Sequence, residues 1–329
     1  MSIKYKELNT VGRYFRKKFG QSVYKVPISI GGFTCPNIDG TVAKGGCTFC
    51  ENDSFSPNLS KNKEKFKLHP NVAENPYIDL QIQQLTLQYN ATKNRLAKKF
   101  GAKKFIVYFQ SFTNTYAPIK TLKTLYTEAL KLDDVVGLSI GTRTDCVSDE
   151  VLQFLQELSL QKNQNSGLNN EIWVEYGIQS IYDETLEHIN RGHNYANIKE
   201  WIKKTKDYNL LVCGHIIFGL PNETSEMMLN TVKESIKLGI DSIKIHPLYV
   251  TNNTLLAIEY KNGEFNPISE EEYLKTLIKS LQMLPDSISI QRVTAGIDND
   301  SLIAPIWCKN KHSQINNIKK ELKKINILY

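Results

Sequence analysis

From about Val26 onward the chain repeats one rhythm: a short run of β-branched or aromatic apolar residues, a polar or glycine-containing turn, then a longer stretch with helical spacing. The runs are VPISI (26–30), KFIVYF (104–109), VVGLSI (135–140), IWVEYGI (172–178), LLVCGHIIF (210–218) and SIKIHPL (242–248). Strands of this kind, apolar on both faces and alternating with helices, build parallel sheets through right-handed crossovers. Six such units predict an α/β fold, an open or partial (β/α)6 parallel barrel. The helices expected between and after them are 76–100, opened by Asn75 as N-cap with Pro76 at the first helical position, then 118–132, 148–160, 183–190, 196–208 and 224–238.

A chain of 329 residues fits one barrel-sized unit with appendages. The expected division is a basic amino-terminal extension over 1–25, the barrel over 26–250 and a carboxy-terminal extension over 251–329. Beyond Leu248 the rhythm fades, although 269–284 reads as a helix, SISIQRV as a strand and 311–325 as a basic terminal helix. Polar stretches without periodicity at 51–74 and 161–170 read as mobile loops. Apolar residues at 41% and charged residues at 23% are ordinary for a globular protein and disfavour disordered, collagen-like and coiled-coil classes. No apolar run approaches the ~18 residues a membrane span needs, and the first twenty residues lack the apolar core of a signal peptide. A cytoplasmic protein without a membrane partner is expected. The net charge of +7 gathers partly in Lys4–Lys25 and Lys309–Lys324, which suits a polyanion such as RNA; a solvated lysine-rich surface accounts for the same numbers.

Six cysteines are too few for a secreted disulfide scaffold, and three of them, Cys35, Cys47 and Cys50, crowd into sixteen positions. They lie in GGFTCPNIDGTVAKGGCTFC, directly after the first strand, where barrel active sites are built. A structural zinc site wants four ligands, and a fourth from His69, Cys146 or His215 would have to arrive through the fold. Three thiolates on a cubane iron–sulfur cluster leave one iron without a protein ligand, and that open position is reactive. Glycines 31, 32, 40, 45 and 46 let the backbone wrap closely around such a group, and Phe49 shields it.

On these residues the chain resembles the radical S-adenosylmethionine (SAM) superfamily, over about Val11 to Tyr249. It is similar to the branch containing the Elongator catalytic subunit, in which a long first gap such as this C-x11-C-x2-C occurs, and closer still to a small bacterial family near it. The resemblance implies a radical SAM barrel, a 4Fe-4S cluster held by Cys35, Cys47 and Cys50, and SAM on its open iron. It implies further SAM contacts at Gln110, Ser111, Thr113 and Asn114 in YFQSFTNTYAP. Gln179 and Arg191, in VEYGIQSIYDETLEHINRGHN, are expected near the ribose and the carboxylate. Gly219 and Pro221 of HIIFGLPNET, with Pro247 and Leu248 of IKIHPLYV, are expected against the adenine, and Asn222 or Thr224 caps the next helix.

Arg143 and Asp145 of GTRTDC read most simply as a salt bridge, Cys146 as a buried small hydrophobe and His193 as structural, while the role of His246 stays open. Arg292, Trp307 and Lys311 are candidate nucleotide contacts, with Trp307 equally able to close the barrel by packing. The likeness implies a tRNA substrate, with chemistry on a wobble uridine, and an electron donor such as a flavodoxin or ferredoxin. A chain stopping at Tyr329 leaves no room for the acetyltransferase domain of the Elongator subunit, so acetyl or carboxymethyl transfer is not expected of it. The competing readings are a radical SAM enzyme on a small metabolite or protein, and a zinc-stabilised RNA-binding module without redox chemistry.

Overall fold

In the computed structural model, which describes residues 5–51, 68, 72, 74–297 and 300–329, seven strands form one parallel sheet in sequence order. They are β1 (Val23–Ile28), β2 (Lys104–Phe109), β3 (Val135–Thr142), β4 (Glu171–Gln179), β5 (Leu211–Phe218), β6 (Ser242–Pro247) and β7 (Ser289–Arg292). Every strand pairs in parallel with its sequence neighbour, so the sheet curls into a half-barrel with all carboxyl ends on one rim. The six predicted strands are present, and SISIQRV, assigned on sequence to the carboxy-terminal extension, supplies a seventh through its pairing with β6.

The outward faces of the strands bury Val107, Leu138, Val174, Val212 and Ile245 beneath the crossover helices. Those helices match the apolar periodicity, with side-chain caps where the sequence offers them: Ser148 accepts from the Val151 N–H, and Thr224, rather than Asn222, from the Met227 N–H. The first crossover helix is Ile78–Phe100 and starts two residues later than expected. The Asn75 carboxamide oxygen accepts from the Tyr77 N–H at 2.9 Å, an Asx turn that consumes the proposed cap before the helix begins.

Residues 161–170, expected as a mobile loop, are tied down by Asn163. This side chain is buried, donates to the Val135 carbonyl at 3.0 Å and accepts from the N–H groups of Asn165 and Ser166. Most of the second expected loop, 51–74, lies outside the described residues.

The amino-terminal segment also does more than extend the barrel. Thr10 caps the helix Val11–Phe19, and Phe15 packs with Val23, Ile106 and Val136 across the amino ends of the strands. Tyr14 Oη and Trp173 Nε1 both donate to Glu171 Oε1, at 2.7 and 2.8 Å, fixing the helix over that end. Lys6–Glu7 pairs in parallel with Ile327–Leu328 behind the helix Lys311–Lys324, so the two basic chain ends meet. The half-barrel is therefore sealed below and open above. Among the described residues no helix is long and apolar enough to cross a membrane.

Candidate active site

The open rim leads into a cavity lined by Cys35, Cys47 and Cys50, by Phe49, Gln110, Ser111 and Thr113, and by Arg143, Gln179 and Arg191. Its lower wall comes from Tyr108, Glu175, His215, Lys244, His246 and Arg292. Cys35 stands immediately before the single turn Pro36–Asp39, and Asn37 of that turn donates to the carbonyls of Asn190 and Arg191. This contact ties the cysteine loop to the segment after β4. Arg191 is buried there, donating from Nη2 to the Gly177 carbonyl at 2.8 Å and from Nη1 toward Cys47 Sγ at 3.7 Å.

Arg143 makes the expected salt bridge, Nε to Asp145 Oδ1 at 2.8 Å and Nη2 to Oδ2 at 2.6 Å, and also points Nη1 at Cys35 Sγ, 3.6 Å away. Burial pushes the Asp145 carboxyl up, but hydrogen bonds from Arg143 and His193 outweigh it and hold the group well below the usual carboxylate range. His193 lies 3.2 Å from Asp145, and burial lowers its pKa to about 4, so it orients this ion pair as a neutral ring.

The donor set decides between the two metal readings. None of the three cysteines is in a disulfide, all three line one cavity, and two guanidinium groups face the sulfurs of Cys35 and Cys47. Burial, with the neighbouring Cys47 and Cys35 sulfurs, pushes the Cys50 thiol far up despite Arg191 nearby, so ionising all three needs further positive charge, which a metal centre supplies. Tetrahedral zinc holds thiolates ~2.3 Å from the metal and so about 3.8 Å from one another. The only His, Cys, Asp and Glu ligand atoms among the described residues that gather in threes within 4.8 Å belong to Glu175, Cys213 and His215, so the three rim sulfurs do not all lie that close to one another. Three cysteine thiols without a fourth protein ligand fit a cubane with one open corner. Neither Cys146 nor His215 completes a zinc set with them, and His69 lies outside the described residues.

Five expected contacts, Asn114, Gly219, Pro221, Pro247 and Leu248, do not line this cavity. The Asn114 carboxamide is spent on the Phe109 and Gly141 carbonyls, at 3.1 and 2.9 Å, and braces the turn after β2 from behind. Gly219 has φ +82°, and a Cβ there would lie 2.7 Å from Ile268, so its freedom serves packing on the outer side. Leu248 is buried in the core, its N–H on the Phe218 carbonyl, and Pro247 is paired in β6 without lining the cavity. Trp307 packs on Tyr273 at 5.3 Å and donates to the Ile268 carbonyl, which makes it a closure of the fold; Lys311 also lies off the cavity, whereas Arg292 lines it.

Sequence reasoning missed the layer beneath the rim, where Glu175 receives Lys25, Lys244, Ser139 and His215. A signal was present: each of these strands carries at least one ionisable residue within an otherwise largely apolar run.

Residues 40–234 match the Radical SAM superfamily and residues 240–324 the Radical_SAM C-terminal domain. The chain belongs to the radical SAM superfamily, whose enzymes bind a 4Fe-4S cluster and SAM. It is 36% identical over 317 residues to a protein of Bacillus subtilis called "Uncharacterized protein YtqA", covering 96% of this chain and 90% of that one. It is 29% identical over 178 residues to the tRNA uridine(34) acetyltransferase of Methanocaldococcus infernus, covering 52% of this chain and 31% of that one. The structure of Elp3 from the same archaeon, lacking its amino terminus, superposes with a TM-score of 0.59 at 21% identity, over 92% of this chain and 63% of that one, and shares the fold.

Proposed function

We propose that this radical SAM enzyme generates a 5'-deoxyadenosyl radical at the cysteine rim and uses it in the modification of tRNA, at a wobble uridine. The observation that carries the radical reading is the gathering of three thiols on one cavity, with Arg143 and Arg191 beside two of them. Cys35, Cys47 and Cys50 would hold the cluster, which supplies the electron that cleaves the sulfonium of bound SAM. An electron donor such as a flavodoxin or ferredoxin would renew it.

The protein's own groups then orient and shield. Gln179 lines the cavity with φ +65°, a left-handed backbone at the β4 bulge, and its Oε1 is buried without a partner. Such an acceptor suits a ribose hydroxyl. Arg191 has Nε unpartnered beside Cys47, in place for a carboxylate, and Gln110 and Ser111 line the wall opposite. Phe49 covers the rim and excludes water.

Gly177 is the space these groups share: a Cβ there would sit 2.7 Å from both Arg191 Nη2 and Gln179 Nε2. Gly177→Ala is expected to displace both and weaken SAM binding by about tenfold or more, with circular dichroism unchanged. Equilibrium dialysis with labelled SAM measures it, and wild-type affinity in the variant would remove both residues from the SAM site.

The tRNA reading rests on the likeness to the tRNA uridine(34) acetyltransferase and on the two basic ends that the Lys6–Glu7 pairing brings together. Lys6–Glu7 and Ile327–Leu328 meet toward the sealed side, whereas Lys311 packs at Gly296 beyond the carboxyl end of β7, so this basic stretch runs toward the rim and would grip the polymer's phosphates. Bulk tRNA nucleosides from a strain lacking the gene are expected to lose one modified uridine relative to the parent strain. An unchanged profile under several growth conditions overturns this reading.

A further inference from the structure

Beneath the cysteine rim the half-barrel contains more positive charge than it neutralises. Glu175, fully buried on β4, receives the ammonium groups of Lys25 and Lys244, and His215 Nε2 lies 2.8 Å from it. Lys244 also donates to Tyr108 Oη at 3.0 Å and lies over the same ring at 4.3 Å. Arg292, at the carboxyl end of β7, lines the same cavity and has no hydrogen-bond or ion-pair partner among the described residues. Two ammonium groups therefore share one carboxylate, with burial pulling the Lys25 pKa down, and the Arg292 guanidinium stands beside them at the exposed strand end.

The two imidazoles add no balancing charge. Burial, with Lys244 for His215 and Arg292 for His246, lowers their pKa values to about 4 and about 3, so both are neutral at physiological pH. A further donor lacks an acceptor: Gln291 accepts from Lys25 through Oε1, while its buried Nε2 has no partner. Excess buried charge and an unpaired buried amide are each costly, and an incoming oxyanion relieves both. A divalent cation on Glu175, Cys213 and His215, whose ligand atoms lie within 4.8 Å, would instead add charge beside two ammonium groups.

We propose that this layer seats a small oxyanion, a carboxylate or a phosphate monoester, carried by the substrate or co-substrate that meets the radical inside the barrel. The inference rests on the radical SAM reading and not on the tRNA reading. Closure of the barrel's amino end by the helix Val11–Phe19 prevents a polymer from threading through it. A nucleotide dipped in from above would leave its phosphates in the chain outside, so the anion at this depth belongs to a small molecule.

The test is equilibrium dialysis of the anaerobically reconstituted full-length protein against labelled succinate and, separately, labelled inorganic phosphate. Saturable one-to-one binding of at least one is expected, and the tighter of the two identifies the group. Lys244→Met and Arg292→Gln are each expected to weaken it by about tenfold or more, while Lys237→Gln, an exposed lysine paired with Glu234, leaves it unchanged. Lys244→Met keeps Glu175 paired with Lys25 and His215; should it still fail to fold, Arg292→Gln at the exposed strand end carries the test.

No saturable binding, or binding untouched by Lys244→Met in folded protein, overturns the proposal. Displacement of the small anion by bulk tRNA overturns its assignment to a small molecule. Cluster absorbance and 5'-deoxyadenosine release are measured on the same preparations. Protein that has both and yet binds no anion fails this proposal alone, whereas protein with neither fails the radical reading.

Discussion

Cys47→Ala is expected to purify without brown colour under anaerobic conditions, to retain little iron, and to release at least about a hundredfold less 5'-deoxyadenosine from SAM in the presence of dithionite. Cys47 is the most enclosed of the three rim thiols, with Arg191 Nη1 at 3.7 Å and Asn37 Nδ2 at 3.9 Å from its sulfur. Removing it leaves two thiols where an open-cornered cubane needs three. The cysteine loop lies outside the seven-stranded sheet, so circular dichroism stays as in the wild type. Cys308→Ala is the control: this thiol is buried between Tyr249, Ala295 and Ile297, away from the cavity, and its loss leaves the colour in place. A brown, active Cys47→Ala protein would falsify the cluster assignment.

Glu175→Leu carries the largest stability effect, a loss of roughly 3–5 kcal/mol, because it strands two buried ammonium groups without their shared counter-ion. Urea unfolding followed by circular dichroism measures it. Glu175→Leu combined with Lys244→Met removes one of the stranded charges and is expected to recover part of the loss. A single variant as stable as wild type would show that water reaches this layer and screens it.

The pH dependence follows from the same ion cluster. Burial pushes the Glu175 carboxyl up, but Lys244 and Lys25 outweigh it and hold the carboxyl well below its ordinary range. A depressed carboxyl contributes stability that is fully present above its unfolded value and lost as pH falls through its folded value. The gap between wild type and Glu175→Gln should therefore stay constant from neutral pH down to about 4.5 and close only in stronger acid.

Much of this architecture was legible because apolar runs and caps are local signals. KFIVYF became β2 residue for residue, and Ser148 and Thr224 cap the helices they precede. Asn75 misled because an asparagine can bond two residues ahead as readily as three, and only the surroundings choose. The seventh strand was visible as SISIQRV, but its place in the sheet depends on pairing with a strand nearly fifty residues earlier.

At the site, the cysteines were legible from spacing, whereas Asn114, Gly219, Pro247 and Leu248 were carried by resemblance and lie away from the cavity. The lysine layer was overlooked because Lys25, Glu175 and Lys244 are single residues in three separate strands. An ionisable group amid apolar neighbours on a doubly covered strand has nowhere to point but the barrel interior, and that rule would have found all three.

The helix laid across the foot of the barrel has a kinetic corollary. A well with one mouth imposes a queue: a molecule that settles on the lysines must come in ahead of whatever later roofs the sulfurs, and must wait for it to leave. On the proposed lysine seat, turnover in such a cul-de-sac is expected to follow a compulsory sequence, with the deepest guest first to arrive and last to depart.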